Sequence, residues 1–325
     1  MTKAFALDID GVLLKGSRVI PSARKALNLL NKYSIPWIVL TNGGGTSEKH
    51  RVSELSRKLG VKIETNRFLQ SHTPYRDLVN NKNRILAIGG KQSAVRDVAL
   101  EYGFPDVVTP QQLAAADPMM LAFPSLTSTM AGYNRMLDGR IDLAVPFDAI
   151  FVFHDSYDFS ADTQIAIDLL LSEGGVLGTR RDLNKFNGTP SIPIYFSCAD
   201  LQWASDYGLP RFGQGAFIET VRAVYKALTN VPLVDTVIGK PTKFTYRYAD
   251  KLLQNQAQSM ATKISSVYMV GDNQNSDILG ANNYGWESVL VRTGVYQEND
   301  RLFTKPTIIA DDVLEAVEKV LEMKD

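Results

Sequence analysis

The chain has few of the residues that several common kinds of protein depend on. Its one cysteine, Cys198, makes no internal disulfide and offers no multi-cysteine zinc cluster. A small, half-buried packing role is the ordinary one for such a residue. The histidines, His50, His72 and His154, are scattered. The pair His154-Asp155 follows an apolar run, but an exposed or structural position is the expectation for it. Neither charge is in excess, with 35 Lys plus Arg against 35 Asp plus Glu. That balance removes the electrostatic case for nucleic acid or an anionic membrane surface as a partner. No apolar run reaches the roughly 18 residues that a membrane span needs. The start leaves no space for a leader, because Ala4-Phe5-Ala6-Leu7 follows Met1-Thr2-Lys3 at once. As written, the chain is expected to be cytoplasmic.

The length of 325 residues suits two compact units better than one. Short apolar runs alternate with longer amphipathic stretches. Phe5–Ile9 and Trp37–Leu40 read as strands, and Ser22–Tyr33 and Ser47–Leu59 as helices, the second stopped by Gly60. Such an order predicts a parallel sheet covered on both faces. After the polar break Asn80-Asn81-Lys82-Asn83, further strands are expected at Arg84–Ile88, 150–153 and 193–196. Helices are expected at Ser93–Tyr102 and Phe159–Ser172, and Leu113–Leu143 shows no clear period. The first pattern resumes at Thr236-Val237-Ile238. A helix at Thr245–Gln258, strands at Ser266–Val270 and Ser288–Val291, and helices at Ser276–Tyr284 and Asp311–Met323 follow. The expected fold is α/β: a doubly wound, Rossmann-like parallel-sheet core over 1–79 and 234–325, with an α/β cap domain inserted over 80–233.

Four places put unusual polar groups directly after apolar strands, where open parallel sheets bind ligands. In Asp8-Ile9-Asp10-Gly11, two carboxylates can hold a hard cation, or supply a nucleophile beside an acid/base group. An acidic turn after a strand is equally common. In Thr41-Asn42-Gly43-Gly44, a hydroxyl and small residues can bind an anion, though a plain glycine turn looks the same. Lys240-Pro241 can place a point charge near an anion, whereas most lysines are solvated. In Gly271-Asp272 and the following residues to Asp277, two acids converge on one strand end, and Asp277 also suits a helix N-cap.

Taken together, DxD, then Thr, then Lys, then GDxxxxD resembles the four motifs of the haloacid dehalogenase-like hydrolase superfamily, in order and spacing. The insertion resembles the type-two capped (class IIA) subfamily. Gln70-Ser71-His72-Thr73-Pro74-Tyr75, Arg211–Phe217, Ile238–Lys243, Asn282–Trp286 and Thr293-Gly294-Val295-Tyr296 further resemble the eukaryotic cat-eye-syndrome critical region group. Members of that group are regarded as phosphatases and often placed in mitochondria, which is the expected location if this N-terminus is incomplete. Some carry a label tied to phospholipid synthesis, which no residue here supports physically.

The resemblance implies a phosphatase that forms an aspartyl phosphate on Asp8. Asp10 would serve as acid and base, and Lys240 would pair with Asp8 and the phosphate. Thr41, Asn42 and Gly43 would bind phosphoryl oxygens. Mg²⁺ would be held by Asp8, the Asp10 carbonyl and Asp272, with Asp277 orienting its waters or binding directly. The cap would select a small phosphorylated metabolite, and such caps often form homodimers. Many relatives read Thr-Asn-x-Asp at a cap strand end, where this chain reads Ser197-Cys198-Ala199-Asp200. Asp200 and Trp203 are the candidate specificity residues. A phosphotransferase or mutase, differing only in the acceptor, and a non-catalytic metabolite-binding scaffold are the alternatives.

Overall fold

A computed structural model describes residues 1–90, 94–122, 141–183, 188–203, 207, 209 and 211–323. Ser93, expected to open a helix, and 123–140 of the stretch without a clear period lie outside the described residues. The described chain forms two parallel sheets flanked by helices, the α/β architecture with a cap that the pattern predicts.

The first sheet has six strands in the order Ile308–Ala310, Glu287–Val291, Ile264–Gly271, Thr2–Leu7, Trp37–Leu40 and Phe68–Leu69, every pair parallel. Side chains of a strand alternate between faces, and the central strand shows the consequence. Phe5 and Leu7 pack with Leu27, Leu30, Leu55 and Val317, beneath helices Ala23–Lys32, Glu48–Leu59 and Val313–Glu322. Ala4 and Ala6 face the other way, against Tyr246, Leu253 and Trp286. Alanine there leaves room for the aromatic side chains of helix Lys243–Ser259 and its neighbours. Each large side chain removed from water contributes roughly 1.5–3 kcal/mol, so both layers are held by burial. The helix ends follow local chemistry. Ser47 accepts the His50 N–H to start one helix, and Gly60 ends it at φ +63°, a conformation that favours glycine.

The second sheet has five parallel strands in the order Thr236–Val237, Ile194–Phe196, Ala149–Val152, Arg84–Ile88 and Asp106–Val108. Helices Phe159–Leu170 and Gln214–Thr229 cover one face of it, with Ile165, Leu169, Phe217 and Val221 inside. One expectation changes here. Thr236–Val237, expected to resume the first sheet, pairs with Ile194–Phe196 as an edge of the second. A strand of two residues has the same apolar pattern in either sheet, so its partner is set by tertiary contact.

Candidate active site

The central strands place the site. Thr2–Leu7 lies between Trp37–Leu40 and Ile264–Gly271, with Leu7 level with both Val39 and Val270. Parallel strands in that register bring their carboxyl ends together, so Asp8, Thr41 and Asp272 meet at one edge. Lys240 arrives from the far side, just after the edge strand of the second sheet. All four are buried.

The Lys240 ammonium sits 3.0 Å from Asp8 Oδ1 and 2.6 Å from Asp277 Oδ1, and it donates to the Leu40 carbonyl at 3.1 Å. Burial works against its charge, but Asp277 and Asp8 outweigh that and hold it well above the ordinary lysine range. Asp8, Asp272 and Asp277 each offer a carboxylate oxygen within 4.8 Å of the others. Burial, reinforced by Asp277 and Asp8, pushes Asp272 well above the usual carboxylate range. Burial also raises Asp277 to about 7, against the pull of Lys240. Asp277 is not a helix cap. Asn273 caps the π-helical turn Gln274–Ile278, and Asp277 lies inside that turn with Oδ2 accepting the Asn273 N–H at 3.1 Å.

Asp10 is exposed and lines the cavity. Enclosure by the surrounding walls, reinforced by the Asp8 charge, raises its carboxyl to about 6. Directly after Asp10, Gly11 turns the chain at φ +81°, and a Cβ there would lie 2.3 Å from Asp272 Oδ2. Thr41 Oγ1 accepts the Gly43 N–H at 3.0 Å, which leaves the hydroxyl proton free to donate into the cavity. Asn42 spends its side chain on position. Its Oδ1 accepts the Lys240 N–H at 2.8 Å, and its Nδ2 donates to the Lys240 carbonyl at 3.1 Å and to Asp200 Oδ2 at 2.9 Å.

Asp8, Asp10, Thr41, Asn42, Gly43 and Asp272 line one cavity of about 430 Å³, and residues of the second unit close it. Asp200 and Trp203 both face it. In place of an amide, Cys198 Sγ accepts the Asp200 N–H at 3.3 Å, and burial holds the thiol well above its usual range. Sequence reasoning missed several wall residues. His154 and Asp155 line the cavity, against the exposed or structural reading, as do Arg51 and Tyr157. The signal for the first two was present, since a polar pair directly follows a buried strand. The Thr293–Tyr296 run secures Asp272: the Val295 N–H donates to Asp272 Oδ2 at 2.6 Å, and Thr293 Oγ1 donates to the Gly11 carbonyl.

Known proteins share the chain's sequence pattern and fold. The family profile described as haloacid dehalogenase-like hydrolase matches residues 5–105, and a second profile of the same hydrolase type matches 237–316. A mitochondrial hydrolase of Saccharomyces cerevisiae is 46% identical over 342 residues, covering 98% of this chain and 95% of that one. A cardiolipin synthase (CMP-forming)/mitochondrial hydrolase fusion protein of Schizosaccharomyces pombe is 40% identical, and the match covers 96% of this chain but 52% of the fusion. Among solved structures, a p-nitrophenyl phosphatase from Archaeoglobus fulgidus superposes with a TM-score of 0.66 at 15% identity, covering 98% of this chain and 99% of that one. Full-length identity to a named hydrolase, two family matches and a shared capped fold agree, and the chain belongs to the haloacid dehalogenase-like hydrolases, as an enzyme with their phosphatase-type fold.

Proposed function

We propose that the chain is a Mg²⁺-dependent phosphohydrolase that removes phosphate from a small metabolite through an aspartyl phosphate on Asp8. The observation that carries this reading is the cluster of Asp8, Asp272 and Asp277 within 4.8 Å, with the Lys240 ammonium against two of them. One ammonium leaves three buried carboxylates under-compensated, and among the described residues Asp8 Oδ1 has no aligned hydrogen-bond donor. An all-oxygen donor set of that charge fits a hard divalent cation. Asp8, Asp272 and the Asp10 backbone would hold it. Asp277, with both oxygens already accepting from Lys240 and Asn273, would orient its waters. When bound, the cation would neutralise charge as phosphate approaches a carboxylate.

The residues then divide the work. Asp8 attacks phosphorus, and the ester oxygen leaves with a proton from Asp10. Water next attacks the phosphoryl group, gives a proton back to Asp10, and frees both phosphate and Asp8. A carboxyl held near 6 suits both halves of that cycle at neutral pH. The Thr41 hydroxyl and the Asn42 N–H would bind phosphoryl oxygens, with Gly43 shaping the turn between them. We read the unit of the second sheet as the cap that selects the metabolite, with Asp200 and Trp203 on its wall, and residues 1–79 and 234–325 as the catalytic core, apart from the strand at 236–237. The relatives named as mitochondrial hydrolases support placement in mitochondria.

The test is turnover of p-nitrophenyl phosphate with Mg²⁺, then a panel of phosphorylated metabolites. Wild type is expected to be active and Asp8→Asn inactive. A folded, Mg²⁺-loaded wild type that turns over nothing on the panel would sink the proposal.

A further inference from the structure

Behind the loop that follows Thr41 lies a buried set of polar side chains with no part in that chemistry. His72 is 0% exposed. Its Nε2 is 3.1 Å from the Gly45 nitrogen, and its Nδ1 is 2.8 Å from the Tyr102 hydroxyl. A backbone N–H can only donate, so Nε2 is the bare nitrogen and the ring proton sits on Nδ1. The Tyr102 oxygen accepts from that proton and donates its own to Glu48 Oε1 at 2.5 Å. Glu48 also accepts from Thr73 Oγ1 at 2.9 Å and from Arg76 Nη2 at 3.3 Å. Every bond in the chain therefore runs one way, from Gly45 through His72 and Tyr102 to a carboxylate. Burial holds the His72 imidazolium to a pKa of about 3, which keeps the ring neutral.

The neighbours of His72 grip the same loop. Gln70 Nε2 donates to the Thr46 carbonyl at 2.8 Å, and the Ser71 N–H donates to the Gly43 carbonyl at 3.3 Å. The far side is closed as well. A Cβ on Gly44 would lie 2.7 Å from the His72 ring and 3.1 Å from the Phe153 carbonyl, and one on Gly45 would lie 2.4 Å from the His154 ring. Phe153, His154 and Tyr102 belong to the unit of the second sheet, so the loop is held between both units.

We propose that Gln70–Thr73 is a rack for the phosphate-binding loop and that His72 is its positioning residue. By accepting from Gly45 and donating to Tyr102, His72 fixes the loop's shape and ties it to the placement of the cap. It touches neither substrate nor reacting atoms. The proposal rests on the phosphatase reading of the Asp8 site, and its test can fail separately.

The test uses the full chain with Mg²⁺, p-nitrophenyl phosphate as substrate, and inorganic phosphate as a ligand followed by calorimetry. His72→Phe keeps a ring and deletes both nitrogens, leaving the Gly45 N–H without its acceptor. Loss of one buried hydrogen bond predicts a roughly tenfold rise in both KM and the phosphate Kd, with kcat changing less than about threefold. His72→Gln, whose side-chain oxygen reaches the Nε2 position, is expected to return both constants to within about threefold of wild type. A folded His72→Phe with wild-type KM and phosphate affinity overturns the rack. If His72→Phe does not fold, Tyr102→Phe decides: it removes the acceptor for the His72 proton, and about a threefold weakening of phosphate supports the rack while no change overturns it. Phosphate affinity is read without turnover, so an inactive wild type counts against the proposed reaction and not against the rack.

Discussion

The two walls of the cavity are built to different tolerances. On the first-sheet wall Asp8 and Asp272 are buried, and behind it the buried Lys240 makes charged contacts with Asp277 at 2.6 Å and with Asp8 at 3.0 Å. On the opposite wall Asp200 is half-buried, while Trp203 and Tyr157 stand 46% and 66% exposed. A buried, interlocked charge set leaves each member little freedom to change, because removing one partner strands the others in a poorly solvated place. An exposed aromatic at a cavity mouth can be exchanged at small cost to the fold. On the proposed reading, the chemistry is therefore rigid and the choice of substrate adjustable.

The comparison breaks first at Lys240. Lys240→Met leaves three buried carboxylates without a cation, and such a loss costs roughly 3–5 kcal/mol. The expected result is a large fall in Tm without Mg²⁺, partly restored when Mg²⁺ is added. A Tm equal to that of wild type in metal-free buffer would show that the first wall is no tighter than the second.

Metal binding comes next. At about a hundred times its Kd, a bound ion stabilises a protein by about 2.7 kcal/mol. Mg²⁺ is expected to raise the wild-type Tm and to leave Asp272→Asn unmoved. An equal rise in both would place the ion elsewhere.

The cap unit buries an acid of its own, which sharpens the contrast. Asp162 is 1% exposed, and among the described residues neither carboxylate oxygen has an aligned hydrogen-bond partner. Burial raises it to about 7 against the pull of Ser156, much as it raises Asp277, but Asp277 has Lys240 against it and no cation among the described residues plays that part for Asp162. For a carboxyl raised in the folded state, the stabilising contribution is full below the unfolded pKa and is lost as pH rises through the folded one. Ionised Asp162 at pH 8 thus costs on the order of 4 kcal/mol, and a buried amide in its place costs about 1–3 kcal/mol. Asp162→Asn should stabilise by about 1–3 kcal/mol at pH 8 and give no gain at pH 4, as read by denaturant melts. A gain that does not grow between pH 4 and pH 7 would contradict the buried-acid account.

The legibility of these regions differs for physical reasons. Asp8, Thr41 and Asp272 could be read because each follows a buried apolar strand, so strand order alone brings them together. Lys240 was named from its motif, while the strand before it was assigned to the wrong sheet, since two residues carry no pairing information. His72 stood inside a quoted motif without a role. Its partners Gly45 and Tyr102 lie 27 and 30 residues away, and Tyr102 passes the bond on to Glu48 on another element. Helix Gln214–Thr229 lies outside the elements expected from the sequence, although Phe217, Ile218, Val221 and Tyr225 have helical spacing. The cap wall was least legible. His154 and Tyr157 face the cavity only because the two units close over it.

The smallest predicted effect tests the adjustable wall directly. Trp203 sits on a two-residue strand paired with Arg211–Phe212 and faces the cavity with nearly half its surface open. A group that contacts the variable part of a substrate and not the phosphoryl centre changes selection more than chemistry. Trp203→Ala should therefore leave kcat/KM for p-nitrophenyl phosphate within about threefold, while changing the ratio between two phosphorylated metabolites by about three- to tenfold. Equal losses on every substrate would join Trp203 to the catalytic wall. An unchanged ranking with unchanged rates would remove it from substrate selection and leave Asp200 to carry that role.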